Sequence, residues 1–187
     1  MVLVNYKRLG TACVAGLSLI AAVCSPSLTA QDVRIRVLNS HNGRPVTDEC
    51  LNIWIDYPDG PSFLLPTGRN GVVTLAFSEK GVTANPVAVR ACNGSAKGGS
   101  RSLPNGATSI SVAPDYYVPC EHYEKAVPGE PVTRDTLRKL MPSYSLRAII
   151  DAGMSTANTC SKRIIKADSG ELVYFVRPIH WWEAMRE

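Results

Sequence analysis

Apolar and polar residues alternate in several short segments of the chain. Val33–Val37 alternates apolar with charged residues, and Leu51–Ile55 places three apolar residues on one side. Successive side chains of a strand point to opposite faces, so this period of two predicts strands with one buried and one solvated face. Similar patterns predict further strands at Phe63–Leu65, Val72–Phe77, Pro86–Arg90, Thr108–Val112 and Glu171–Arg177.

Residues that favour turns separate these segments. Asn42–Pro45, Tyr57–Pro61 and Thr67–Gly71 combine Gly, Pro, Asn and Asp in orders that cannot continue a sheet. The stretch Asn93–Gly106 is rich in Gly, Ser and Asn and predicts a flexible loop. Six or seven short strands divided by turns predict a mainly β protein, an antiparallel β-sandwich.

A helical insert is expected before the last strand, at about residues 131–153. Thr133–Leu140 ends shortly before Pro142, which suits an exposed helical stretch. Ser145–Asp151 begins with a capping serine and ends just before Gly153, so it predicts a short helix. Its buried side is expected to comprise Leu146, Ile149 and Ile150.

The first thirty residues are typical of a secretory signal. Lys7 and Arg8 precede an apolar stretch, Thr11–Val23, and Ser27–Ala30 offers a small-residue cleavage site. The apolar stretch is too short for a membrane span. We therefore expect residues 1–30 to be a signal peptide cleaved near Ala30, and the protein to be secreted or periplasmic in a bacterium.

Cleavage at Ala30 would leave one domain, residues 31–187. Cys24 is an alternative processing site at which lipidation would anchor the protein to the envelope, although Val23 before it fits that reaction poorly. Loss of Lys7 and Arg8 lowers the net charge from +4 to +2. This near balance gives no electrostatic footprint for nucleic acid or for an anionic membrane.

Four cysteines remain after such cleavage, and an even number in an oxidising compartment favours disulfides. They are Cys50, Cys92, Cys120 and Cys160. Three pairings are open to them. We expect Cys50–Cys92, which would join the ends of neighbouring strands, and Cys120–Cys160, which would flank the helical insert. No Cys-x-x-Cys is present, so neither a zinc knuckle nor a redox pair is indicated.

The order of strands and turns resembles a known module. Val33-x-Ile35-x-Val37, Asn42–Val46, Thr67–Val72 and Leu75-x-Phe77 are similar to the carboxypeptidase-regulatory-like, or transthyretin-like, β-sandwich. From Tyr144 to Glu183 the chain resembles a group of uncharacterised secreted bacterial proteins that carry such a module. The resemblance implies a shared architecture and brings no activity with it.

The residues that carry chemistry in enzymes do not form a recognisable motif. His41, His122 and His180 are far apart, and no phosphate loop, dinucleotide fingerprint or Gly-x-Ser-x-Gly occurs. We therefore assign no catalytic, cofactor-binding or metal-binding residue and expect no cofactor.

Aromatic residues are the candidates for binding. Tyr116 and Tyr117 are adjacent, as are Trp181 and Trp182, and exposed aromatic pairs can stack on sugars or mark a protein contact. The alternative for the tryptophan pair is that it covers the edge of the sandwich. Trp54 points opposite to its apolar neighbours and either covers the insert or belongs to a binding face.

These features together predict an exported, non-catalytic binding protein. Its partner would be a protein or an envelope glycan. Alternatively, the protein would serve in surface assembly. The sequence does not indicate an oligomeric state. A small hydrolase or enzyme accessory domain that uses Asp115, Glu121 and His122 is an alternative. An enzyme would need these groups in one cleft, whereas a binder needs only an exposed surface.

Overall fold

A computed structural model describes residues 31–78, 80–84, 92, 98–103, 106–121, 133, 140–180 and 183. The expected signal peptide, the expected strand Pro86–Arg90, His122 and the Trp181–Trp182 pair lie outside these ranges. So does most of the first half of the expected helical insert.

The described residues form eleven strands and one short helix. The strands are β1 Gln31–Asn39, β2 Cys50–Ile55, β3 Ser62–Pro66, β4 Val72–Ser78, β5 Gly81–Ala84, β6 Gly99–Ser102, β7 Ser109–Pro114, β8 Tyr117–Pro119, β9 Tyr144–Ser145, β10 Met154–Ser155 and β11 Glu171–Pro178; the helix is α1 Leu146–Ala152. The expectation of a mainly β protein with a short helix before the last strand is confirmed. No helix in the described ranges has the length and apolar character to cross a bilayer.

The strands form two sheets. The larger has the order β10-β11-β1-β4-β5-β6, with β8 also paired to β11, and the smaller has the order β3-β2-β7-β9. The expectation of purely antiparallel pairing is wrong, because β11 runs parallel to both β1 and β10. Apolar alternation sets which face of a strand is buried but not its direction, and the long excursion between β1 and β11 permits the parallel crossover.

Both sheets contribute to one hydrophobic core. The inward side chains of β1 and β4 belong to the same buried cluster as those of β2 and β7. Tyr174 on β11 is fully buried in this cluster, and its hydroxyl donates a hydrogen bond of 3.0 Å to the carbonyl of Val112 on β7. This bond joins the two sheets across the core.

A second, smaller core lies on the other face of the larger sheet. Val173 and Phe175 of β11 point away from the main core and are buried with Leu38, Cys120 and Ala167. Residues 156–168, here named the strap, supply Ala167 and the partly buried Ile165 and Cys160 to this core. Strand β11 is therefore buried on both faces, which explains why its sequence is almost continuously apolar.

The two disulfides have the expected pairing. Cys50 is bonded to Cys92 and Cys120 to Cys160, with Cα–Cα distances of 5.6 and 5.3 Å. These distances lie within the usual range for disulfides. The Cys120–Cys160 bond ties the strap to the segment that follows β8.

Helix α1 begins and ends where the sequence indicates. The Ser145 side chain accepts a hydrogen bond from the backbone N–H of Ala148, and Leu146 and Ile149 are buried. Gly153 ends the helix at φ 72° and ψ 158°, a conformation almost confined to glycine. A Cβ there would lie 2.2 Å from the carbonyl oxygen of Asp168, so no other residue fits without a shift of the strap.

One expected loop contains a strand. Within Asn93–Gly106, residues Gly99–Ser102 form β6, which pairs with β5. All four residues of β6 are exposed, so the strand is held through its backbone and carries no apolar alternation from which it could be predicted.

Candidate functional site

An aromatic side chain stands in the middle of the outer face of the smaller sheet. Ile53 and Ile55 point into the core, so Trp54 between them points outward, where it is half-buried. In the strand register Trp54 lies opposite Ser62 of β3 and Ser111 of β7. Paired residues share a face of the sheet, so a serine flanks the indole on each side. We name Ser62, Trp54 and Ser111 the Trp54 row.

A second aromatic ring extends this row at the end of β2. The rings of Trp54 and Tyr57 meet edge to face, with centroids 5.7 Å apart and an interplanar angle of 76°. This is a preferred geometry for aromatic pairs. Each ring therefore limits the movement of the other.

A cavity of about 350 Å³ lies beside Tyr57. It lies among residues that follow β2, residues of β7 and residues that precede β9. Its lining consists of Asp56, Tyr57, Asp59, Thr108, Ser109, Ser111, Met141 and Ser143. Its volume is at the lower end of the range of small-molecule sites, about 300–1,000 Å³.

The hydroxyl of Ser111 has no hydrogen-bond partner among the described residues. The residue is 0% exposed and lines the cavity. A buried polar atom without a partner costs roughly 1–3 kcal/mol, so such atoms call for an explanation. The Oγ atom is closed to solvent, so a molecule in the cavity would reach it only if the lining shifts.

Asp56 fixes the loop that carries Tyr57. Its Oδ1 accepts hydrogen bonds from the backbone N–H of Thr108 (3.0 Å) and of Ser109 (2.8 Å), and from both hydroxyls (2.7 and 3.2 Å). Asp56 has a φ of 50°, a region that Asp tolerates better than most residues. Partial burial opposes ionisation of this carboxyl, but the bonds from Thr108 and Ser109 outweigh it and lower its pKa.

We expect Asp56→Ala to lower the free energy of unfolding by about 2 kcal/mol at pH 7, because hydrogen bonds to a charged group are lost. The lowered pKa means that this contribution is present above the ordinary Asp value of 3.8 and is lost as the pH falls through the folded-state pKa. Urea unfolding of the wild type, Asp56→Ala and Asp56→Asn at pH 7 and pH 3 measures it. A difference between wild type and Asp56→Asn that does not shrink at pH 3 would contradict this role.

The turn between β7 and β8 carries Tyr116. The buried carboxyl of Glu49 accepts a hydrogen bond of 2.7 Å from the backbone N–H of Tyr116, and Asp115 accepts one of 2.6 Å from the Asn52 amide. Burial raises the pKa of Glu49 and that of Asp115. Tyr116 is 49% exposed, whereas Tyr117 lies half-buried in β8. Of the two predicted binding tyrosines, Tyr116 is thus the more accessible.

Among the described residues, the other acidic and histidine residues considered as candidates do not line the cavity beside Tyr57. Glu121 accepts a hydrogen bond from the buried hydroxyl of Tyr144, and His41 and His180 are exposed. Arg177 of β11 forms two bonds to Glu183, of 2.6 and 2.7 Å, which lower the pKa of Glu183 to about 2. Among the described residues, no group of three or more His, Cys, Asp or Glu could hold a metal ion.

A second cavity, of about 480 Å³, lies along the strap. Asn158 organises this region, because its amide donates to the Ser161 hydroxyl (2.9 Å) and to the Arg163 carbonyl (3.0 Å). Ile164 is 92% exposed between Arg163 and Ile165. Among the described lining residues, the charged ones are Lys162 and Arg163, and both are basic.

Comparison of the chain with protein families, curated proteins and solved structures finds no match. The sequence indicated Trp54 as a candidate through strand alternation, but Tyr57, Asp56 and Ser111 gave no signal. Asp56 and Tyr57 follow Trp54 in the chain, whereas the register between β2 and β7 brings Ser111 beside it.

Proposed function

We propose that this protein is an exported, non-catalytic β-sandwich of the transthyretin-like kind that binds a protein or an envelope glycan. Its residues 1–30 would act as the signal peptide, and the mature protein would be secreted or periplasmic. The binding surface would be the outer face of the smaller sheet, centred on the Trp54 row.

One observation carries this assignment: an aromatic pair lies on the outer face of the smaller sheet, and one of its rings, Tyr57, lines a cavity of about 350 Å³. Trp54 and Tyr57 supply apolar contact area that is already held in place. The cavity that Tyr57 lines adds polar side chains, among them Thr108 and Ser109. Sites for small molecules commonly combine apolar walls with a few polar groups.

The disulfides support export. Each closes a loop of about forty residues, with sequence separations of 42 and 40. Such bonds persist in oxidising compartments and are rare in the bacterial cytosol. Lipidation at Cys24 remains the alternative to release, and it would place the same domain at the envelope surface.

Binding is favoured over hydrolysis because the acidic candidates serve structural contacts. Asp115 bonds Asn52 of β2, while Glu121 bonds Tyr144 of β9. A general acid–base pair would instead face a common substrate position. His122, the third candidate, lies outside the described residues.

Affinity capture from an envelope fraction of the native host tests the proposal. The wild-type chain with both disulfides formed is compared with Trp54→Ala/Tyr57→Ala and with Ile164→Ala. Ile164 is highly exposed on the strap, which covers the other sheet, so it is a matched surface control. We expect the double variant to lose the captured partner and the control to retain it.

Circular dichroism and unfolding curves would verify that the double variant is folded. Capture that survives in the folded double variant would contradict the proposal, and capture lost only in Ile164→Ala would move the site to the strap. Treatment of the captured material with protease or with periodate then separates a protein partner from a glycan.

A further inference from the structure

We infer that the strap binds the surface of a membrane that contains anionic phospholipid. Such binding would be a property of the protein beyond the proposed function, and it would not involve the Trp54 row. Three features of the strap carry the inference: an isoleucine that is almost fully exposed, cations on both sides of it, and neutral polar groups that are already bonded within the protein.

The packing of the strap directs one large apolar side chain into the solvent. Ile165 is partly buried and Ala167 fully buried in the second core, whereas Ile164 and Lys166 are exposed. The segment thus alternates between inward and outward side chains, as extended backbone does. Ile164 is 92% exposed, and no other large apolar side chain among the described residues exceeds 49%. Ile164 is therefore the apolar side chain that the fold leaves most available to another surface.

Positive charge surrounds Ile164. Lys162, Arg163 and Lys166 lie within two residues of it in the chain, and all three are exposed. The strap contains one acidic residue, Asp168, at its far end. Within the described part of the chain, none of the three cations forms an ion pair. Their charge is therefore available to an anionic partner.

The turn after β1 adds a further cation. The Arg163 guanidinium donates a hydrogen bond of 3.4 Å to the His41 carbonyl, and a Cβ built on Gly43 would lie 3.2 Å from its Cδ. Arg44 follows Gly43 in this turn and is exposed. Charge is thus concentrated where the turn meets the strap. The near balance of charge over the whole chain, from which no membrane binding is expected, conceals this local concentration.

The neutral polar side chains of the strap cavity are already bonded within the protein. The hydroxyl of Ser155 donates to the Ile165 carbonyl, and that of Ser161 donates to the Ser40 carbonyl, each over 2.6 Å. The Asn158 amide donates to other groups of the strap. Attraction of an anion would therefore depend on charge more than on a defined set of hydrogen bonds. This favours a surface of many anionic headgroups over one small anion.

The exposed isoleucine decides between a membrane and a soluble anionic polymer. A polyanion would pair with the cations but would gain nothing from Ile164. At a membrane interface, binding strength grows both with the apolar area that is buried and with attraction to anionic lipids. The long stems of lysine and arginine let their charges stay among the headgroups while an apolar neighbour enters the layer below. The strap offers both contributions in one short segment.

Binding through the strap would also orient the protein. The strap covers the outer face of the larger sheet, whereas the Trp54 row lies on the outer face of the smaller sheet. The outer faces of two packed sheets point in opposite directions. The Trp54 row would thus be directed away from the membrane, where a partner could reach it.

Sedimentation with vesicles tests the inference. Vesicles of phosphatidylcholine alone are compared with vesicles that contain about 30% phosphatidylglycerol, and the soluble wild-type protein has both disulfides formed. We expect at least about tenfold stronger binding to the anionic vesicles, because each cation near such a surface contributes about fivefold. This preference should be lost at about 1 M salt, where the screening length is only about 3 Å.

Two pairs of variants separate charge from apolar contact. Lys162→Ser/Lys166→Ser should weaken binding to the anionic vesicles about 10- to 30-fold. Its matched control, Lys80→Ser/Arg101→Ser, removes two exposed cations near the opposite edge of the larger sheet and should bind like the wild type. Ile164→Ser should weaken binding about tenfold, whereas Ile164→Leu should retain it. The altered side chains are exposed, so folding should be unaffected.

Equal binding to both kinds of vesicle, or an equal loss in Lys80→Ser/Arg101→Ser, would overturn the inference. Vesicle binding that is unchanged in Ile164→Ser would also overturn it, and would assign the cations to a soluble polyanion. Trp54→Ala/Tyr57→Ala should bind vesicles like the wild type. If no vesicle binding occurs but envelope capture still depends on Trp54 and Tyr57, membrane binding is refuted and the proposed function stands.

Discussion

Removal of the Cys120–Cys160 disulfide, as Cys120→Ala/Cys160→Ala, is expected to lower the free energy of unfolding by about 4 kcal/mol. The bond closes a loop of 40 residues, and its loss restores conformational freedom to the unfolded chain. Alanine is chosen because Cys120 is buried in the second core. Urea unfolding under non-reducing conditions measures the change.

The matched control is Cys50→Ala/Cys92→Ala, whose loop has nearly the same length, 42 residues. Chain entropy alone predicts equal losses for the two variants. Only loss of Cys120–Cys160 should also release the strap and expose Phe175 to a hydrophobic dye below the unfolding transition. A Cys120→Ala/Cys160→Ala variant as stable as the wild type would show that the bond does not hold the strap.

Phe175→Ala is the second change with a large expected effect, about 3–5 kcal/mol of lost stability. Phe175 is 1% exposed and lies between β11 and the strap. Its removal leaves a cavity in a small core that has few other large side chains to fill the space. Thermal and urea unfolding of the variant measure the loss.

Phe175→Leu is the control for this substitution, because it keeps most of the volume and should cost less than about 1.5 kcal/mol. A small effect of Phe175→Ala, comparable to that of Phe175→Leu, would mean that the strap does not pack on β11 as described.

Local patterns in the sequence account for much of the fold. Alternation predicted β1 and β2, and the capping serine and Gly153 predicted the limits of α1. The preferred disulfide pairing followed from the positions of the cysteines relative to the expected strands. Each of these inferences rests on neighbouring residues or on strand ends, where sequence and geometry are closely linked.

Long-range pairing could not be predicted in the same way. The parallel contact of β11 with β1 joins residues about 137 apart, such as Arg34 and Glu171, and no local pattern encodes it. The strap has no regular periodicity, so its packing on Phe175 depends on the disulfide and on scattered apolar residues.

The candidate site shows the same limit. Trp54 could be placed on an outer face from alternation, but Ser62 and Ser111, which flank it, come from other segments. Ser111 is an ordinary serine in the sequence, and only the strand register and the burial of its hydroxyl distinguish it. A buried hydroxyl without a hydrogen-bond partner can be recognised only once the three-dimensional surroundings of the residue are known.

Site-specific photo-crosslinking in the native host locates the binding surface on the folded protein. A benzophenone amino acid is placed at Ser62, beside Trp54, or at Thr74, which is exposed on the outer face of the larger sheet. We expect a discrete crosslinked species from position 62, absent in Trp54→Ala/Tyr57→Ala, and none from position 74. Crosslinking from position 74 alone, or none from position 62, would contradict a binding surface on the outer face of the smaller sheet.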